Sequence, residues 1–222
     1  MKYLRKFATE ADVNMPVTPN VVLVGDTGKV IYNVLNGVFI QHIDGTLYTT
    51  DEWTAGGFTN DQANGVAVGG GAVKFVIAKE DTSTAGMMWS SSKYWYSAID
   101  GAVIADNLGT AKNDYAGVSN TAAISTVDSE SAAAACQNYT FPNGKSGYLP
   151  AAGEWSVVDK YRNLIISAFA IIGGTSLTTS TYWSSTQSSG SKAWKFNYKS
   201  SGGEFLNYEK TSKAYVRPFT TL

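Results

Sequence analysis

The sequence predicts an α+β domain with two main helical regions and antiparallel sheets. After residue 36 the chain shows short strand-like runs separated by glycine turns, then helix-forming runs in the middle, then strand-like runs again near the C-terminus. Helices and strands that occupy separate stretches of a chain are typical of α+β proteins, whereas regular alternation indicates α/β proteins. The clean polar and aromatic alternation of the last strands indicates a sheet with one buried face.

Residues 1–34 differ from the rest and are assigned as a separate N-terminal β arm. A charged start leads through two prolines into Val21–Tyr32, which is typical of two short strands around a Gly25-Asp-Thr-Gly28 turn. An isolated hairpin is marginally stable in water, so this segment needs a surface to pack on. It is either a docking or assembly arm or the first hairpin of the domain at 35–222.

The strands and helices of the main domain follow from local pattern. Strands are predicted at Gly37–Ile43, Gly45–Tyr48 and Val73–Ala78, with helix only in the middle of the chain. Helices are predicted at Ser129–Gln137 with Asp128 as N-cap, from Pro150 to Tyr161, and at Leu164–Ile172, where Gly173-Gly174 ends the helix.

The C-terminal part predicts a strand meander with two different faces. In Trp194–Lys199 the aromatic residues alternate with Lys195, Asn197 and Lys199. Since side chains along a strand alternate between faces, the aromatic residues are predicted to be core and the polar residues to point outward. A turn at Ser200–Gly203 leads to a strand at Glu204–Tyr208, and Pro218 marks an edge or strand end.

Composition excludes several function classes. Lys and Arg total 17 against 18 Asp and Glu, giving a formal net charge of -1, so we expect neither nucleic acid nor an anionic membrane as partner. The start lacks the apolar run of a secretory signal. The longest apolar run, Leu164–Ile172, is far below the ~20 residues that span a bilayer, so we expect no membrane insertion.

Candidate catalytic and metal-binding residues are few. His42 is the one histidine and Cys136 the one cysteine, and both fit structural roles in a strand and a helix. The carboxylate pairs Asp51-Glu52 and Asp128/Glu130 fit solvated turns and helix caps. We therefore expect a protein that is not an enzyme and needs no cofactor or metal.

An ordered set of motifs resembles the C-type lectin fold. The set comprises Gly147-Tyr-Leu-Pro-Ala-Ala-Gly-Glu-Trp155, Tyr182-Trp-Ser-Ser-Thr186, Ala193-Trp194 and Tyr215-Val-Arg-Pro-Phe219. More narrowly, it is similar to the branch shared by formylglycine-generating-enzyme-like domains and the variable proteins of diversity-generating retroelements. The whole chain, including Gly37–Trp53, also resembles proteins of that group from gut Bacteroides or their phages.

The resemblance implies a ligand-binding protein whose surface is rewritten by mutagenic reverse transcription. The variable face would lie at about residues 187–214, between and beyond the aromatic residues Trp183 and Trp194. The expected ligand is a bacterial surface protein or a glycan, and the expected setting is a phage tail or a cell surface. The candidate binding residues are Ser188, Ser189, Ser191, Lys192, Lys195, Asn197, Lys199, Glu204, Leu206, Tyr208, Lys210, Thr211 and Lys213.

Two activities known from proteins that this chain resembles, calcium-dependent sugar binding and formylglycine generation, are not expected here. Calcium-dependent lectins carry a Trp-Asn-Asp strand where this chain has Trp183-Ser-Ser185, and formylglycine-generating enzymes act through two cysteines where Cys136 stands alone. Two alternatives to a ligand-binding protein stay open. One is a structural virion or fibre component without a ligand, and the other is an enzyme of the formylglycine-generating type. Oligomeric state is also open, and a trimer is compatible with an apolar arm.

Overall fold

Helices and antiparallel sheets coexist in the fold, as the α+β prediction requires. The computed structural model describes residues 35–177, 180–199 and 201–222, together with two short strands in the N-terminal segment. Those strands, β1 (Val21–Leu23) and β2 (Val30–Tyr32), pair antiparallel. This confirms the predicted hairpin strands, while the predicted Gly25–Gly28 turn and the rest of residues 1–34 lie outside the described residues.

A five-stranded antiparallel sheet forms the first layer. Its strands are β3 (Leu35–His42), β4 (Leu47–Tyr48), β5 (Ala63–Gly71), β6 (Val73–Ile77) and β12 (Phe219–Thr221), in the spatial order β12-β6-β5-β3-β4. β12 lies at one edge directly after Pro218, which confirms the strand end predicted there. The last strand of the chain, β12, thus pairs antiparallel with β6.

A separate three-stranded sheet carries the C-terminal meander. Its strands are β8 (Thr181–Gln187), β9 (Lys192–Asn197) and β10 (Glu204–Glu209), and β10 is an edge strand. Two short strands, β7 (Met87–Met88) and β11 (Lys213–Ala214), pair with each other beside this sheet.

Six α-helices lie within the described residues. They are α1 (Thr50–Ala55), α2 (Leu108–Ala111), α3 (Gly117–Val127), α4 (Ala132–Gln137), α5 (Ala152–Lys160) and α6 (Arg162–Ile171). The predictions of α4, α5 and α6 are confirmed to within a few residues. The expectation of helix only in the middle is wrong, because α1 follows β4 directly.

The predicted cap of α4 is also wrong. The helix begins three residues later than expected, and Ser131 caps it by accepting a hydrogen bond at Oγ from Ala134 N at 3.1 Å. Asp128 instead accepts hydrogen bonds from Ser91 N and Glu130 N, which ties the start of the 91–98 loop to the helical layer. Ser131 is the residue directly before the helix, so its hydroxyl, and not the Asp128 carboxylate, reaches an unpaired N–H group of the first turn.

Trp155 on α5 joins the two large sheets. Its ring centroid lies 5.3 Å from Phe196 of β9, 5.2 Å from Tyr182 of β8 and 5.1 Å from Phe219 of β12. Its indole N–H donates to Trp183 O at 3.1 Å. The Glu-Trp motif therefore places one fully buried side chain against both sheets.

The residues before Trp155 show why the motif has its composition. Gly153 N donates to Asp114 O at 2.8 Å, and a Cβ on Gly153 would lie only 2.4 Å from that oxygen, so a side chain is excluded there. Glu154 is buried and accepts hydrogen bonds from Ala151 N and from the Tyr148 hydroxyl. Burial, chiefly, raises the pKa of Glu154 to about 8.

Candidate binding surface

The two tryptophans predicted to support the C-terminal surface are core residues. Trp183 is fully buried and donates from Nε1 to Met87 O at 2.9 Å, and Trp194 is 5% exposed and donates from Nε1 to Ala105 O at 2.8 Å. Both indoles thus fill the interior while their single polar group is paired. The predicted burial of Phe196 and Tyr198 is confirmed as well.

The register of β9 and β10 groups part of the predicted site on one face. Glu204 lies opposite Asn197, Leu206 opposite Lys195, and Tyr208 opposite Ala193. Directly opposed residues of an antiparallel pair point to the same face. The accessible members of this face, Asn197, Glu204, Leu206 and Tyr208, form one side of the C-terminal surface, defined as the solvent-accessible part of residues 187–214.

The prediction that Lys195 points into solvent is wrong. Its side chain is on the predicted face but is 3% exposed, because the chain at 208–213 folds over it. Nζ lies 4.2 Å from the Trp183 ring centroid and 4.7 Å from the Tyr208 ring centroid, and it donates to Ser212 Oγ and Lys213 O. Burial lowers the pKa of Lys195 to about 8.

Lys210 is a second internal lysine, so its predicted contact with a ligand is also wrong. Its side chain is fully buried, with Nζ 4.6 Å from the Trp89 ring centroid. Nζ donates to Ser97 O at 2.7 Å and to Gln187 Oε1 at 3.0 Å. Burial lowers the pKa of Lys210 to about 8. The ammonium joins β8, the turn after β10 and the 91–98 loop.

Ser188 is the third predicted residue that lies inside. It is 6% exposed, and its Oγ has no hydrogen-bond partner among the described residues. The other ten predicted residues are accessible. Glu204, Tyr208 and Lys213 are exposed, and Ser189, Ser191, Lys192, Asn197, Lys199, Leu206 and Thr211 are partly exposed.

Accessible charges on this surface largely neutralise one another. Lys199 Nζ lies 2.6 Å from Glu204 Oε2, and Lys192 Nζ lies 3.6 Å from Glu209 Oε1. Lys192 and Glu209 are opposed in register but point to the other face of the sheet from Tyr208. The surface is therefore polar without a strong field of either sign, and its polar groups lie on two sides of β10.

An aromatic loop that sequence reasoning missed adjoins the surface. Tyr94, Trp95 and Tyr96 follow three serines, and Tyr96 is 77% exposed. A Cβ on Gly190 would lie 3.2 Å from Tyr96 O, which shows how closely this loop and the 188–191 turn approach each other. The available signal was the Ser-Lys-Tyr-Trp-Tyr run itself, since tyrosine beside serine is typical of adaptable binding surfaces.

Gln187 holds residues 99–102, which follow the aromatic loop, by side-chain hydrogen bonds. Its buried side chain accepts from Ile99 N at 2.9 Å and donates from Nε2 to Ile99 O and Ala102 O. With Lys210 on Oε1, every hydrogen-bonding atom of the amide is used. The irregular segment at 97–102 is thus held in place by the side chains of Gln187 and Lys210.

Other titratable groups have structural surroundings. Burial raises the pKa of the Cys136 thiol well above its usual range, which disfavours the reactive thiolate. Glu52 belongs to the capping box of α1, and Asp128 to the turn before α4. Within the described ranges, no three or more His, Cys, Asp or Glu side chains group as metal ligands would. None of the helices described there has the length and apolar character to traverse a bilayer.

Comparison with known proteins identifies a fold relationship. No family model and no curated protein matches the chain. The solved structure of a fimbrial protein from Bacteroides ovatus ATCC 8483 resembles it with a TM-score of 0.55 at 14% sequence identity. The similarity covers 85% of this chain and 49% of that one, so this chain spans about half the length of the fimbrial protein. At this identity the likeness concerns the fold alone.

Proposed function

We propose that this chain is a non-enzymatic ligand-binding protein that uses its C-terminal surface to recognise a bacterial surface protein or glycan. The observation that carries the proposal is the division of residues 187–214 into two sets. Trp194, Lys195 and Lys210 are buried and bonded, whereas Glu204, Tyr208, Lys213 and small polar residues around them are accessible. A fixed support under exchangeable side chains suits a recognition surface.

The scaffold proposed for this surface is C-type lectin-like, of the type diversified by retroelements. Support comes from the Leu-Pro-Ala-Ala-Gly-Glu-Trp155 and Trp183-Ser-Ser185 motifs, whose tryptophans are joined by a hydrogen bond in the core. The setting proposed is a phage tail or a cell surface, with residues 1–34 as the assembly arm. The fold similarity to a fimbrial protein is compatible with a surface role.

The absence of enzymatic activity is part of the proposal. Its support is the position of Cys136, which is fully buried on α4 and whose thiol is held protonated by its surroundings. Glu154, the buried carboxyl with a raised pKa, already bonds Ala151 N and Tyr148 and belongs to the packing of α5. Both groups therefore have structural explanations.

Binding to intact bacteria tests the proposal. Fluorescently labelled protein is incubated with a panel of Bacteroides strains, B. ovatus among them, and bound protein is measured by flow cytometry. The test variant is Glu204→Ala, Tyr208→Ala and Lys213→Ala combined. The matched control is Glu130→Ala, Tyr115→Ala and Lys145→Ala, which also removes one exposed side chain of each kind. Protease and periodate treatment of the cells separate a protein receptor from a glycan.

The expected result is loss of cell binding by the test variant alone, with both triple variants folded at the temperature of the binding assay. Their unfolding temperatures are measured beside the binding, because the Tyr208 ring lies over Lys195 Nζ, Glu204 pairs with Lys199 and Lys145 donates to Thr221 O. Equal binding by wild type, test variant and control would show that the C-terminal surface does not bind these cells.

A structural fibre component without a ligand is the second candidate. The observation that favours it is the fold similarity to a protein described as fimbrial. Sequencing the neighbourhood of the gene separates the two functions. A near-copy of the segment encoding residues 187–214, beside a reverse transcriptase gene, is expected only for a diversified binding protein.

A further inference from the structure

A small hollow lies away from the C-terminal surface, at the end of α1. It has a volume of about 370 Å³ and is lined by Tyr48, Glu52, Ala55, Gly56 and Phe58. All three larger side chains are partly exposed, so their rings and carboxylate remain accessible from solvent. The Tyr48 and Phe58 rings, which pack on each other, form one aromatic wall of the hollow, and Glu52 adds a carboxylate.

The chain reversal after α1 places Phe58 in this aromatic wall. Gly57 adopts a φ of +67°, which turns the chain back so that Phe58 packs beside the helix it follows. A Cβ on Gly56 would lie 2.5 Å from Phe58 Cε2, so the ring takes this position only beside a glycine. The Phe58 and Tyr48 ring centroids are 4.6 Å apart and tilted by 48°, with buried Trp53 behind Phe58 at 4.9 Å.

The charge of the hollow is negative. Both hydrogen bonds from Thr49 go to a single oxygen of Glu52, with Thr49 N at 3.0 Å and Thr49 Oγ1 at 3.1 Å from Oε2. Oε1 has no hydrogen-bond partner among the described residues, and none of the five lining side chains is basic. Glu52 thus brings a carboxylate with one unbonded oxygen to a hollow whose lining contains no basic side chain, and the nearest imidazole, His42, has its ring centroid 5.5 Å from that of Phe58.

We propose that this hollow binds a trimethylammonium group, as found in choline and its derivatives. Aromatic faces attract cations through the ring quadrupole, and quaternary ammonium ions are recognised by clustered rings because their methyl groups carry little hydration to lose. A primary ammonium is strongly hydrated and fits such walls less well. Glu52 supplies the opposite charge at the rim, and two rings with one partly exposed ion pair correspond to a dissociation constant on the order of millimolar.

Titration with choline chloride, followed by NMR of the aromatic ring signals, tests the proposal. Choline is expected to shift the Tyr48 and Phe58 ring signals with saturation in the millimolar range. The neutral isostere 3,3-dimethyl-1-butanol and Nα-acetyl-lysine amide are expected to shift them far less. Phosphocholine distinguishes two sources of the group. A response equal to that of choline supports a phosphocholine headgroup, and a response to choline alone supports free choline.

Two variants keep the test specific. Glu52→Gln preserves the capping box, in which glutamine serves as well as glutamate, and is expected to weaken choline binding about threefold to fivefold. Asp51→Asn removes a neighbouring exposed carboxylate that does not line the hollow and is expected to leave binding unchanged. The proposal is overturned if the rings do not respond to choline up to about 50 mM, a concentration well above the expected range. It is equally overturned if the neutral isostere or the lysine amide matches choline, or if Asp51→Asn weakens binding as much as Glu52→Gln.

Discussion

At the residue scale, the buried lysines show that a polar residue within the proposed binding segment can support the fold of that segment. Lys210 Nζ holds Ser97 O and Gln187 Oε1, and Lys195 Nζ holds Ser212 Oγ and Lys213 O. Each ammonium also faces an indole ring, which compensates part of its lost hydration. Lysine at these positions therefore fixes the loops that carry the accessible residues.

Replacing Lys210 should loosen the aromatic loop. Lys210→Ala leaves Ser97 O without this donor, leaves Gln187 Oε1 with Ile99 N alone, and removes the lysine stem from Trp89. We therefore expect a loss of ~2–3 kcal/mol in the free energy of unfolding. Amide hydrogen exchange should accelerate around residues 97–99. Lys213→Ala, whose side chain is exposed, serves as control and should change neither quantity by a measurable amount. Similar exchange rates in the two variants would contradict the role of Lys210.

Glu154 should give stability a distinct pH dependence. Its pKa is about 8 in the folded protein against an ordinary value of 4.5, so the folded state binds the proton more tightly. The corresponding stabilisation is complete below about pH 4.5 and is lost as pH rises through 8, an effect on the order of a few kcal/mol. Urea unfolding of Glu154→Gln should show a flatter decline between about pH 5 and pH 8 than the wild type. Parallel pH profiles for the two proteins would show that Glu154 is not held protonated.

Strand alternation in the sequence was enough to predict which face Lys195 is on, but not what covers that face. The residues that cover it, at 208–213, are brought there by the turn after β10 and by the pairing of β11 with β7. Lys213 pairs with Met88, a partner 125 positions away, and no local pattern carries that information. The aromatic core positions were predictable because they depend on alternation alone.

At the element scale, helix propensity was enough to predict α4 but not α3. α4 was found because its alanine run favours helix. α3 was missed because Gly117–Val127 contains serine, threonine and β-branched residues that disfavour helix locally. Tertiary contacts stabilise it instead: Asn120 bonds Asp114 Oδ2 and Val103 N, and Thr121 bonds Leu149 N.

The cap of α4 provides a test at this scale. Ser131→Ala removes the acceptor for Ala134 N and the donor to Asp128 O, and we expect it to cost ~1 kcal/mol of stability. Ser129→Ala, at an exposed position two residues earlier, is the matched control and should leave the melting temperature within error of the wild type. If both variants unfold alike, Ser131 does not cap the helix.

At the scale of the whole molecule, the buried residues that hold the sheets together are distinct from the accessible side chains of β10. Trp155 joins the two large sheets, while Gln187 and Lys210 join the three-stranded sheet to the irregular segment at 91–102. β10 lies at the edge of that sheet with mostly accessible side chains. Side chains on β10 can therefore change with little effect on the core, which is the physical condition for a surface that acquires new ligands.

Sequencing this gene from several isolates measures that condition most directly. We expect substitutions concentrated at accessible positions of the C-terminal surface, such as Ser189, Glu204, Tyr208 and Lys213, with Lys195 and Lys210 unchanged. Substitutions spread evenly along the chain, or an exchange of the buried lysines as frequent as that of their exposed neighbours, would contradict it.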